Sequence, residues 1–118
     1  MLNREDILKA NDLEFVDVEV QEWGGTVRIS MMTGAGRDEY EQSLYKFGPD
    51  GSAKPDFSNM RSKLLSVCLV DENNKRLFTA KDVDELGKKN SAVLDRLHAV
   101  ADQLNAVSPE AIKGTAKN

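Results

Sequence analysis

The stretch that decides the fold is Ser66–Ser108, SVCLVDENNKRLFTAKDVDELGKKNSAVLDRLHAVADQLNAVS. It reads as the end of an apolar helix, a polar turn at Asp71–Arg76, a short return through Leu77 and Phe78, and two capped helices. Thr79 and Asp82 have the spacing of a capping box for a short helix over Ala80–Leu86, with Gly87 expected as its left-handed stop. Asn90 or Ser91 is expected to cap the last helix. There Val93, Leu97, Val100, Leu104 and Val107 follow the i, i+4, i+7, i+11, i+14 spacing of one helical face, widened by Leu94 and Ala101.

Working upstream, Met60, Leu64, Val67 and Cys68 make the buried stripe of a helix expected over Asn59–Leu69 with Ser58 as its cap. Val70 and Leu77 are predicted to pair as very short strands. Gly48–Pro55 (GPDGSAKP) concentrates Gly and Pro and is predicted to be a mobile loop. It lacks the GxxxxGK[ST] pattern of a phosphate-binding loop. Before it, Thr33 caps a helix expected over Gly34–Phe47, with Tyr40, Leu44 and Phe47 on one face. Val16, Val18 and Val20 alternate with Asp17 and Glu19, and Val27, Ile29 and Met31 alternate with Arg28 and Ser30. Each run has period two, and Gly24-Gly25 between them suits a hairpin turn with positive φ. Such a hairpin is marginal alone, so a helix must cover its apolar face. Asn3 can cap a short first helix over Arg4–Ala10, anchored only by Ile7 and Leu8. The expected fold class is α+β and predominantly helical, an N-terminal β-hairpin packed against four to five α-helices. One domain is expected over residues 1–107, with residues 1–13 a mobile helical arm and residues 108–118 a flexible polar tail.

Composition narrows the function. The 118 residues carry 16 Lys and Arg, 20 Asp and Glu, one His and one Cys, for a net charge of −4. That is no footprint for nucleic acid, and Lys75, Arg76, Lys81, Lys88 and Lys89 cluster without stacking aromatics. The charge is uneven: residues 1–59 hold six cations and twelve anions, residues 60–118 ten and eight. Opposite halves of opposite sign favour head-to-tail contacts between copies. No apolar run approaches the roughly 18 residues of a membrane helix, and MLNREDILKAND lacks the apolar stretch of a signal peptide, so a cytoplasmic location is expected.

No chemistry converges. Cys68 sits in an apolar helical pattern, as a buried inert thiol does. His98 flanks the last helix's stripe, and with one cysteine and no second histidine in the chain those residue types cannot supply the further ligands of a metal site. Asp82, Asp84 and Glu85 suit the positive end of a helix. DENNKR lacks the length, glycine and terminal Glu of a calcium loop. No catalytic residue, cofactor or metal is expected. Protein interaction is assigned to Trp23, Met32 and Phe47. Trp23 at a hairpin tip is either an interface anchor or a side chain folded back over the helices. Met31 and Met32 point to opposite strand faces, so one belongs to the core and the other to an adaptable contact surface.

Several fragments, in order, resemble one family. They are Glu22-Trp23-Gly24-Gly25 with the strand after it, Met32 to Asp38 (MTGAGRD), Leu69-Val70-Asp71-Glu72, Leu77-Phe78, Asp82-Val83 with Leu86, Leu94 to Arg96, and Leu104-Asn105. Across Phe15–Val107 the chain resembles the tail assembly chaperones of long-tailed phages. Gly36 departs from the family pattern, which has a better helix former, often Glu, after the small residue. The resemblance implies a non-catalytic protein of the host bacterial cytoplasm that is absent from the finished virion. It implies that copies self-associate, coat the tape measure protein and recruit tail tube subunits. It also implies a longer form made by programmed frameshifting, for which the polar tail after Pro109 is a suitable junction. A small virion component, such as a head-tail connector or tail completion protein, is the alternative.

Overall fold

The computed structural model describes residues 1–106. The expected flexible tail and the last stripe position, Val107, lie outside them. The elements run α1 (Arg4–Lys9), β1 (Phe15–Val20), β2 (Gly25–Ser30), α2 (Gly34–Ser43), β3 (Tyr45–Phe47), β4 (Ala53–Pro55), α3 (Met60–Cys68), β5 (Leu69–Val70), α4 (Val83–Leu86) and α5 (Ser91–Asn105). The fold is α+β, with five helices among the described residues.

β1 and β2 form the antiparallel hairpin, with Val16 opposite Ile29, Val18 opposite Val27 and Val20 opposite Gly25. Residues of one parity therefore share one face, and that face meets the helices. A 3-10 turn over Gln21–Trp23 joins the strands, and Gly24 alone takes the left-handed conformation, at φ 74°. Gly25 already belongs to β2. Met31 falls beyond the strand, although its N–H still donates to the Glu14 carbonyl at 2.9 Å. β5 adds to the free side of β2, giving the order β1-β2-β5. The expected pairing of Val70 with Leu77 is shifted by one: Val70 bridges Arg76, while the Leu77 N–H donates to the Leu69 carbonyl at 3.0 Å.

The helices lie on the valine face. Val20, Ile29, Leu65, Cys68, Leu97 and Ala101 have no exposed surface, and Leu64, Leu69, Leu86, Val93 and Leu94 complete the cluster. α5 supplies its share because Asn90 is the true cap, its side chain accepting from the N–H groups of Ala92 (2.8 Å) and Val93 (3.3 Å). Thr79 and Asp82 form the capping box reciprocally. Leu77 does not return to the core: it is half exposed, and only Phe78 packs against the cluster.

Three boundaries differ from the sequence reading. α2 stops at Ser43, and Tyr45–Phe47 forms a strand of a second hairpin with Ala53–Pro55. The GPDGSAKP segment is thus mostly its turn: the Gly48 N–H donates to Ser52 O, and Asp50 Oδ1 accepts from both the N–H and hydroxyl of Ser52. α3 begins after Asn59, which sits in the left-handed region at φ 53° and makes no capping bond. Ser58 instead donates to Asp56 Oδ1 from both its N–H and its hydroxyl.

Gly87 is the third. Its φ is −66°, so it is no left-handed stop. Its place is tight instead: a Cβ there would lie 2.8 Å from Asn59 Oδ1 and 3.1 Å from Ser62 Oγ, so both side chains would have to give way. Gly36 is explained in the same way. A Cβ on it would meet Val67 Cγ1 at 3.0 Å, so the missing side chain lets α2 close on α3.

At an ordinary helical glycine, alanine stabilises by about 0.4–1 kcal/mol. Gly87→Ala is expected to lack that gain in urea unfolding, because Asn59 and Ser62 must move off the new Cβ. The gain should return in an Asn59→Gly background, which removes the nearest atom.

Candidate protein-interaction surface

Polar clasps fix the core's periphery. Arg96 on α5 grips Glu22, at the hairpin end, with two bonds of 3.1 and 2.9 Å. Arg76 holds Glu39 on α2 with bonds of 3.1 and 2.9 Å and also donates to the Ser66 carbonyl at 3.1 Å. Arg28 pairs with Asp17 at 2.8 Å, lies over the Phe15 ring and donates to Asn74 Oδ1 in the polar turn. That turn is built on Asp71, whose Oδ1 accepts from the N–H groups of Asn73 and Lys75. These backbone donors hold its carboxyl below the usual range.

The Glu22–Arg96 clasp explains where Trp23 goes. The adjacent turn folds toward α5, and Trp23 is half-buried against the core cluster. The structure shows the folded-back arrangement of the two that the sequence allows. Met32 is half-buried as well. Its N–H donates to Asn105 Oδ1 at 2.7 Å, and it lines a shallow cleft of about 190 Å³ with Arg37, Tyr40, Leu64 and Asn105. Met31 is also half-buried, so neither methionine belongs to the sealed core. Phe47 lies on β3, not on a helix, and is 66% exposed. The three residues assigned to interaction therefore form no common patch: Trp23 and Met32 pack inward on different elements, and Phe47 stands on the second hairpin.

Exposed apolar side chains gather in two other places. The N-terminal arm presents Met1, Leu2, Ile7, Leu8 and Leu13, followed by Phe15 and Val16 at the start of the sheet's edge strand. The second hairpin presents Tyr45 and Phe47, and Phe57 lies just beyond it. Its register puts Tyr45 opposite Pro55, Phe47 opposite Ala53 and Lys46 opposite Lys54. One face of the ribbon is thus apolar and the other cationic. Polar bonds hold its base: Asp56 N–H donates to Leu44 O at 2.7 Å, and Lys63 Nζ donates to Ser43 O at 2.8 Å and Asp56 O at 3.3 Å. The sequence carried a signal for this ribbon. Tyr45-Lys46-Phe47 and Ala53-Lys54-Pro55 alternate with period two on either side of a Gly-Pro turn.

Among the described residues no three His, Cys, Asp or Glu side chains converge as metal ligands would. No helix among them is long and apolar enough to cross a membrane. Cys68 is fully buried, and burial pushes its thiol up to about 11 despite the Asn105 amide 3.6 Å from its sulfur. His98 is half-buried on the flank of the α5 stripe.

No family model matches the chain, and no curated protein matches it in sequence. Comparison with solved structures is different. The fold is that of the bacteriophage HK97 tail assembly chaperone. The two superpose with a TM-score of 0.61 at 16% sequence identity, over 88% of this chain and 94% of the HK97 protein. An identity that low leaves the likeness to the HK97 chaperone in the backbone arrangement, which is where the hairpin, the helices and the short third strand of this chain lie.

Two measurements follow from these contacts. The Glu22 carboxyl is held down from its usual 4.5 to about 2, first by its hydrogen bonds from Arg96 and then by its own backbone N–H. A carboxyl depressed in the folded state stabilises the fold above its unfolded pKa, and that contribution disappears as pH falls through the folded value. Stability should therefore decline as pH falls from about 4.5 to about 2, and Glu22→Gln should make the urea midpoint less acid-sensitive in that window. The pair is half exposed, so added salt should shrink the difference. Separately, the Cys68 thiol should fail to react with a disulfide reagent at neutral pH in the folded protein and titrate fully on unfolding.

Proposed function

We propose that this protein is a phage tail assembly chaperone. In this reading it binds the tape measure protein in the host bacterial cytoplasm, keeps its long helical surfaces from aggregating, and helps recruit tail tube subunits. It works by protein binding and weak self-association, without catalysis or a cofactor, and is left out of the finished virion. A longer frameshifted form would carry an added segment for the tape measure protein.

The observation that carries the reading is the shared fold with the HK97 chaperone over nearly the whole of both chains. The surface supports it. Exposed apolar side chains cluster on a short arm and a small ribbon, both outside the sealed core. Contiguous exposed apolar groups mark contact sites for other proteins. Small patches of this kind suit partners that must later be released, since modest interfaces dissociate readily.

Co-expression with the tape measure protein encoded nearby tests the proposal. The chain, alone or with any longer form, should raise the soluble fraction of the tape measure protein severalfold and be recovered with it. No rescue, together with the chain in stoichiometric amounts in purified virions, would replace this reading with that of a connector or tail completion protein. The frameshifted form is tested by the gene: absence of an overlapping downstream reading frame would remove it.

A further inference from the structure

α1 should not persist by itself. It has six residues and buries none of them, whereas isolated helices below about 12–15 residues are marginal in water. Its ends are nonetheless finished: Asn3 and Asp6 bond reciprocally as a capping box, Glu5 and Asp6 occupy the first turn, and Lys9 the last. Leu2, Ile7 and Leu8 remain 70%, 59% and 66% exposed. α1 thus combines complete local helix signals with an apolar side that nothing among the described residues covers.

The β3–β4 ribbon has the complementary problem. All six of its strand residues are exposed, and a two-stranded ribbon is marginal without cover. Lys46 and Lys54 stand directly opposite each other, an arrangement that destabilises the pair. The nearest carboxylate to Lys46 is Asp56 at 3.9 Å, and Lys54 has no ion-pair partner among the described residues.

We infer that α1 of one copy docks on the apolar face of the β3–β4 ribbon of a second copy. Ile7 and Leu8 would cover Tyr45 and Phe47. Charge favours this occupant. The arm holds Glu5, Asp6, Asp12 and Glu14 against only Arg4 and Lys9, while the ribbon carries the opposed Lys46 and Lys54, with only Asp56, 3.9 Å from Lys46, as an ion-pair partner among the described residues; their stems are long enough to reach round the ribbon's edge toward a docked arm. Length agrees as well: a six-residue helix spans about 9 Å and a three-residue strand about 10 Å. The segment from Ala10 to Glu14 lies outside helix and strand and can reach up to ~17 Å. Each copy has one arm and one ribbon, so the contact is heterologous and links copies head to tail, in a ring where the rotation closes and in an open series where it does not. The inference rests on the self-association in the proposed function and assigns its surface.

The test uses two variants of the full chain, Ile7→Glu/Leu8→Glu in the arm and Phe47→Glu in the ribbon. All three positions are exposed, and circular dichroism with thermal melting confirms that each variant folds. By sedimentation at low salt the wild type should form a concentration-dependent series of oligomers. Each variant alone should associate at least about tenfold more weakly. Their mixture should give a one-to-one dimer and nothing larger, since one intact arm and one intact ribbon remain. A monomeric wild type, variants that associate as the wild type does, or a mixture that stays monomeric would each overturn the inference. Rescue of the tape measure protein by the wild-type chain is measured separately, so it stands or falls independently. A charge exchange that spares the α1 capping box, Lys46→Glu/Lys54→Glu mixed with Asp12→Lys/Glu14→Lys, should likewise restore pairing that neither variant shows alone.

Discussion

The structure depends on α5 lying across a sheet too narrow to bury its own face. β1 and β2 have six residues each, and β5 contributes only two. Val20 and Ile29 are nevertheless sealed, because Val93, Leu94, Leu97 and Ala101 on α5 meet them together with Leu65 and Cys68 on α3. Burying aliphatic side chains of this size contributes roughly 1.5–3 kcal/mol each, well beyond what the surface ion pairs supply. The ion pairs have another use. Glu22–Arg96, Arg61–Asp95 and Arg76–Glu39 each join different elements, so they set how the outer parts sit on a core held by apolar contact.

That division separates two kinds of element. α3, α5 and the first hairpin are fixed by burial. α1 and the second hairpin bury nothing apolar and are held by caps, turns and the lysine at the ribbon's base. Elements of the second kind have low local stability and are the ones free to reorder against a partner. Their exposed side chains are therefore the place to look for binding. The half-buried Trp23 and Met32 owe their positions to the fold itself.

What could be read from the sequence follows the same line. The first hairpin, α5, the Asn3 cap and the Thr79–Asp82 capping box were legible because period, cap and turn all lie within a few residues of one another. The end of α2 was not. Tyr40, Leu44 and Phe47 satisfy the helical spacing, and that longer pattern masks the short period-two runs either side of the Gly-Pro turn; Leu44 leaves the helix and accepts a bond from the Asp56 N–H. Asn59 takes a left-handed conformation that glycine more commonly adopts. Gly87 is small because α3 passes close by, a contact between residues 25 or more positions apart in sequence. For the surface, residue type alone could not separate Trp23 from Phe47. Both are large aromatics beside glycine, and only the packing of Trp23 against the core cluster, beside the Glu22–Arg96 clasp, distinguishes them.

The charge asymmetry of the chain has to be read against these contacts. Part of the acidic excess in the first half is already matched inside the fold, since Glu22 and Glu39 are gripped by arginines from the second half. Whole-half attraction between copies is weaker than the sequence totals imply, and at physiological salt it is screened beyond about 8 Å. What survives is local and placed at the two uncovered elements: carboxylates on the arm, and an opposed lysine pair on the ribbon. In the inferred contact between copies, charge there would choose the register while apolar cover supplies the strength. A contact of that kind would be small enough to release and specific enough to repeat, and both properties suit the proposed function.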